Sequence, residues 1–130
     1  MSAAYFLVFD KKPTGFDPFV NGKALADALD ELVAIAQGAG VTPLSEFISY
    51  SGREKDAFEM SDSEFAMLPR DRWFTPVEIK KTVTALVESL KADPSAAPNA
   101  EKVLRDLAEF EAVLSNASRL ELKCHVAIDY

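Results

Sequence analysis

The hydrophobic pattern of this chain begins and ends on one period and runs on another in between. Tyr5 to Phe9 is a continuous apolar run that stops at Asp10. At the other end Leu122, Cys124, Val126, Ile128 and Tyr130 alternate with Lys123, His125, Ala127 and Asp129. Both stretches are rich in β-branched and aromatic residues, so both predict strands. The alternation puts a core face on the last strand opposite a wetter one. The unbroken run of the first strand predicts cover on both sides. Between them the period becomes helical. Leu25, Leu29, Leu32, Val33 and Ala36 form one stripe, and Ile79, Val83, Leu86, Val87 and Leu90 a second. The third is Val103, Leu107, Phe110 and Leu114, widened by Leu104 and Val113.

Local stop and start signals bound these helices. Asn21 can cap the first, and Gly38 and Gly40 end it. Thr75, Pro76 and Glu78 predict a capping box with proline at the first helical position. Phe74 and Ile79 stand at the two ends of a hydrophobic staple. Asp93-Pro94 closes that helix and Asn99 can cap the next; the short connection predicts antiparallel packing. Thr42-Pro43 followed by Leu44, Phe47 and Ile48 predicts a short helix. Pro13, Gly15 and Pro18 make 11–20 a loop, folded back by Phe16, Phe19 and Val20.

Residues 51–72 keep no sustained period. Between Glu54 and Glu64 there are five acids and one base, and the stretch reads as an irregular acidic loop, a length usually tied to function or disorder. The expected architecture is α+β in a single domain, 1–130. A small sheet holding the N- and C-terminal strands, with room for a short third strand, packs against three long helices and one short one. Whether the terminal strands run parallel or antiparallel is not readable from the pattern.

Charge narrows the partners. The net charge is −7, and Lys11-Lys12 and Lys80-Lys81 are isolated pairs rather than the basic stripe that nucleic acid requires. The acidic balance suits solubility or a basic protein partner. One cysteine, Cys124, excludes an intrachain disulfide; on the apolar face, it reads as a buried inert thiol. The apolar run after Ala4 is too short for a signal-peptide core or a membrane span, so a cytoplasmic location is the default expectation, with no membrane partner.

No Gly-rich phosphate loop, Cys-x-x-Cys, His-Glu-x-x-His or Gly-x-Ser-x-Gly occurs. One histidine cannot build a multi-histidine zinc site, and no cofactor or metal is expected. The polar groups left as catalytic candidates are Asp10, His125 and Asp129. His125 and Asp129 share a face but stand roughly 13 Å apart along a strand. Parallel pairing would bring Asp10 to Asp129 as a carboxylate pair. Antiparallel pairing would bring Asp10 toward Lys123 and His125. Trp73, Arg70 and Arg72 are the binding candidates: an aromatic before the best helix cap, and two cations that could hold an anionic group.

Several stretches together carry a resemblance: Gly15-Phe16-Asp17, Val20 to Leu25, Pro43-Leu44 with Phe47, Trp73-Phe74 with Pro76 and Glu78, Leu107 to Leu114, and His125 to Tyr130. They resemble a family of small bacterial proteins of unknown function. The resemblance implies a bacterial, cytoplasmic, single-domain protein and transfers no catalytic residue. The functional expectation is a non-enzymatic protein-binding or regulatory module, with 51–72 and Trp73 as its contact surface, in one version an immunity-type protein that masks a basic toxin face. The alternative is an enzyme or small-ligand binder using the polar cluster at the edge of the terminal strand pair. A homo-oligomer with a scaffold role is the third reading.

Overall fold

β1 (Ala4–Phe9) and β2 (Cys124–Asp129) pair antiparallel, from Ala4 opposite Asp129 to Phe9 opposite Cys124. The computed structural model describes residues 3–57, 59–68 and 72–129; Phe58, Arg70 and Tyr130 lie outside them. The two termini thus make one sheet, and the fold is α+β. In place of a full third strand, single-residue bridges serve both edges. Gly22 exchanges two backbone hydrogen bonds with Tyr5 on the β1 side. On the β2 side Phe74 exchanges two with Cys124, and Ser49 N–H donates to Val126. These short contacts occupy edge groups that would otherwise be open to pairing with another chain.

The two strands are covered differently from what their patterns predict. On β2, His125 and Ala127 are fully buried along with Cys124 and Val126, so the expected wetter face is closed. Glu54 and Trp73 come from distant parts of the chain to close over His125. On β1, Tyr5, Leu7 and Phe9 are buried, whereas Ala4, Phe6 and Val8 are half-buried. An apolar residue can stay half-exposed at modest cost, with Phe6 set against the exposed Phe19 at 6.1 Å. A buried imidazole requires partners.

Six α-helices lie among the described residues. The first predicted helix is two, α1 (Lys23–Asp27) and α2 (Leu29–Ala39), separated by a turn at Ala28. The turn keeps Leu25, Ala28, Leu32 and Ala36 all buried. Gly40, at φ 73°, ends α2 in the left-handed conformation. The predicted short helix after Pro43 is a 3-10 turn, Leu44–Phe47. The 51–72 stretch is more regular than expected, with α3 (Gly52–Ala57) and α4 (Asp62–Ala66). α5 (Pro76–Ala92) and α6 (Ala100–Arg119) supply most of the helical core. Ile79, Val83, Leu86 and Leu90 from one, and Val103, Leu107, Phe110 and Leu114 from the other, are completely buried. A fully buried side chain of this kind contributes about 1.5–3 kcal/mol over an exposed one.

Caps account for several of these boundaries. Thr75 Oγ1 accepts from Glu78 N–H at 3.3 Å, the first half of the predicted box. A complete capping box instead forms at α4 between Ser61 and Glu64. Asn99 sits in the left-handed region and makes no side-chain cap bond. Nor does Asn21 cap α1. Gly22 stands at that position, and Asp106 of α6 accepts from Ala24 N–H and Leu25 N–H at 3.0 and 3.4 Å.

At Gly22, residues of β1, α1 and α6 come close together. A β-carbon there would meet Tyr5 Cβ at 3.0 Å and Leu25 Cδ1 and Phe110 Cζ at 3.1 Å. Gly22→Ala is therefore expected to destabilise by about 1–3 kcal/mol through overpacking. Chemical denaturation checks this; a variant as stable as the parent would show that the junction has slack.

Candidate functional site

The polar groups that come together are not those at the strand ends. They are Ser51, Glu54 and His125, with Trp73 stacked alongside. Ser51 immediately precedes α3, and Glu54 lies three residues on, the spacing at which a glutamate reaches back to the start of its own helix. Glu54 Oε2 accepts from Ser51 N–H at 2.9 Å and from the Ser51 hydroxyl. Glu54 Oε1 accepts from Nε2–H of His125 on β2. One carboxylate thus holds both the first turn of α3 and a strand 71 residues away.

Burial makes this contact matter. His125 is fully buried, Glu54 is 3% exposed and Ser51 8%. Burial by itself would push the Glu54 carboxyl up. The hydrogen bonds from His125 and Ser51, with the electrostatic attraction of His125, outweigh it and hold the carboxyl at about 2. His125 Nδ1 is also buried and has no hydrogen-bond partner among the described residues. The Trp73 ring lies 4.4 Å from the imidazole, tilted by 38°.

Trp73 is positioned by hydrogen bonds from the backbone on either side of it. Arg72 N–H donates to Ser49 Oγ at 2.9 Å, and Phe74 pairs with Cys124. The Arg72 side chain stays exposed and lies back along the chain. It donates to the Glu46 carbonyl at 3.4 Å and sits 5.2 Å from the centre of the Phe74 ring. Its role here is to pin 72–74 to the 3-10 turn.

The strand-end candidates separate. Asp10 Oδ1 accepts from Lys123 N–H at 2.9 Å and so caps the end of the ladder. The Asp129 backbone pairs with Ala4 at the opposite end, and His125 stands opposite Val8 and turns to Glu54. The antiparallel register rules out the Asp10–Asp129 pair. It brings Asp10 to Lys123, as one of the two alternatives had it, while His125 finds a different carboxylate. The Cys124 thiol is pushed up to about 12, by burial first and then by Asp10 and Glu78, as suits an inert core thiol.

Chemically, Ser51, Glu54 and His125 are not a nucleophile–base relay. The serine hydroxyl is held by the carboxylate, not by the imidazole, and all three side chains are enclosed. The arrangement is a buried tie between α3 and β2. Glu54 was missed from sequence, yet Ser51-x-x-Glu54 and Ser61-x-x-Glu64 both carry the capping-box spacing. No group of three or more metal-ligating side chains occurs among the described residues, and no helix there is long and apolar enough to cross a membrane. No family model matches the chain, and no curated protein or solved structure matches it either.

Proposed function

We propose that this chain is an acidic protein-binding module whose contact surface is the α3–α4 segment with Trp73. The observation that carries the reading is what this segment leaves in solvent. Asp56, Glu59, Asp62 and Glu64 are exposed, and Met67 follows them at 88% exposure. Lys55 is committed to Asp62 at 2.7 Å, and Asp56 and Glu59 make no ion pair among the described residues, so these two carry the free negative charge. Acids steer a basic partner and speed its association, and an exposed methionine supplies an adaptable apolar contact. The tie from Glu54 to His125 fixes the first turn of α3 to the sheet, which lowers the ordering cost of binding there. The partner that fits is a basic protein face, in one version a toxin masked by an immunity-type module. The alternative, a catalytic or small-ligand site at the strand ends, draws no support from a register that sets Asp10 and Asp129 at opposite ends of the ladder.

The test is capture by the immobilised chain from an extract of its native host, at low salt and again at about 0.5 M, where screening is strong. A basic protein is expected to be retained at low salt and released at high salt. The double variant Asp56→Lys, Glu59→Lys, which leaves the Lys55–Asp62 pair and the Ser61–Glu64 capping box intact, is expected to lose it. Retention that ignores both salt and charge reversal would overturn the reading, as would no retention at all.

A further inference from the structure

A second feature runs against the overall charge of the molecule. A cavity of about 280 Å³ opens where α1 and α6 begin, and Lys23, Lys102 and Arg105 all line it. The chain has 21 acids against 14 lysines and arginines, so three cations in one small cavity are a local inversion. None of the three is within ion-pair distance of a carboxylate among the described residues, although Lys55 and Asp62 make such a contact elsewhere. Two carboxylates share the lining, Asp27 and Asp106. Asp106 is already engaged, accepting from Ala24 N–H and Leu25 N–H. Asn99 completes the polar wall, and its carboxamide makes no cap bond to α6.

We propose that this cavity binds a small dianion of the phosphate class, as free phosphate or as the phosphoryl group of a small metabolite. The cations outnumber the carboxylates of the lining, so the cavity keeps a positive surplus that an anion offsets. Two lysine point charges with one planar guanidinium fork form a set that suits a tetrahedral oxyanion. The carboxamide adds a neutral donor. The three cations exceed Asp27 and Asp106 by one positive charge, and a phosphoryl group offers the several acceptor oxygens that three cations and a carboxamide can share. The volume lies just below the usual range for small-molecule sites, about 300–1,000 Å³, so a small ligand fits. The inference stands apart from the α3–α4 reading, since the two use no residue in common.

Amide chemical shifts of the isotope-labelled full chain test it, with inorganic phosphate and then glycerol phosphate added at constant ionic strength and neutral pH. Saturable shifts are expected at Ala24, Asn99 and Lys102. Lys102→Gln with Arg105→Gln is expected to weaken binding at least tenfold. These side chains are exposed, so the fold should survive; Lys23→Gln alone, with a smaller loss, serves as a second measure. Lys11→Gln with Lys12→Gln should bind as the parent does. Tighter binding of glycerol phosphate points to a phosphorylated metabolite, and equal binding to free phosphate; either supports the site. Shifts that do not saturate, that chloride reproduces, or that persist at full affinity in the double variant would overturn it.

Discussion

Glu54→Ala is expected to destabilise the protein by about 3–5 kcal/mol, because it strips a fully buried histidine of its hydrogen-bond partner and leaves that charge or dipole uncompensated. The same change removes the acceptor for Ser51 N–H and the Ser51 hydroxyl, so the first turn of α3 loses its anchor as well. Urea denaturation measures the loss. The single tryptophan, stacked on His125, gives a local optical signal that should change in the same variant. A loss under about 1 kcal/mol would be the size of an ordinary surface pair and would contradict the enclosed geometry. Replacing both Glu54 and His125 by apolar residues of similar volume is expected to cost much less than either single change. A buried pair is costly to break yet contributes little beyond a well-packed apolar substitute.

Acid titration reads the same contact by another route. The Glu54 carboxyl lies below its ordinary value of 4.5, at about 2. A depressed carboxyl binds fewer protons folded than unfolded, so its stabilisation is fully present above about 4.5 and is lost as pH falls toward 2. Stability in that window is expected to drop less steeply in Glu54→Gln than in the parent. Parallel pH curves for the two would show that other carboxylates carry the acid sensitivity.

Phe110→Ala is expected to cost about 3–5 kcal/mol, on the scale of large-to-small changes at closed core sites. The ring is fully buried and its tip meets the space that a side chain at Gly22 would fill. The site joins α6 to the Gly22–Tyr5 bridge, so collapse into the cavity would have to move backbone held by two hydrogen bonds. Denaturant midpoints measure the loss. The neighbouring substitutions should also couple, with Phe110→Leu relieving part of the strain of Gly22→Ala by withdrawing Cζ. Strict additivity would show that Tyr5 Cβ alone sets the limit at Gly22.

The stripes on α5 and α6 and the strand character of the two termini were legible because each rests on a repeat within a few residues. The helix period set the faces of Ile79 to Leu90 and Val103 to Leu114, and the buried residues are those faces. The Thr75-Pro76 start likewise depends on nothing beyond one turn. The break at Ala28 was not legible, since no glycine or proline marks it and its reason is the closeness of α1 to β1 and α6. The capping of α1 by Asp106 joins residues 82 positions apart, and Asn99 stands at the N-cap of α6 as read but makes no side-chain cap bond, its φ being 51°. α3 and α4 carried readable signals in Ser51-x-x-Glu54 and Ser61-x-x-Glu64, hidden by the weak apolar period around them.

By itself, then, the order of residues determined the elements whose energetics are local, strands at both ends and amphipathic helices between, together with a net charge of −7. Only the tertiary structure decided which polar groups meet. His125 could have faced Asp10 or water; it faces Glu54, because the antiparallel register and the two short bridges along β2 bring 49–54 and 72–74 over it. A lone imidazole on a strand has no preferred partner until burial removes water. Once water is gone, an ionised carboxylate within reach becomes the favoured solution.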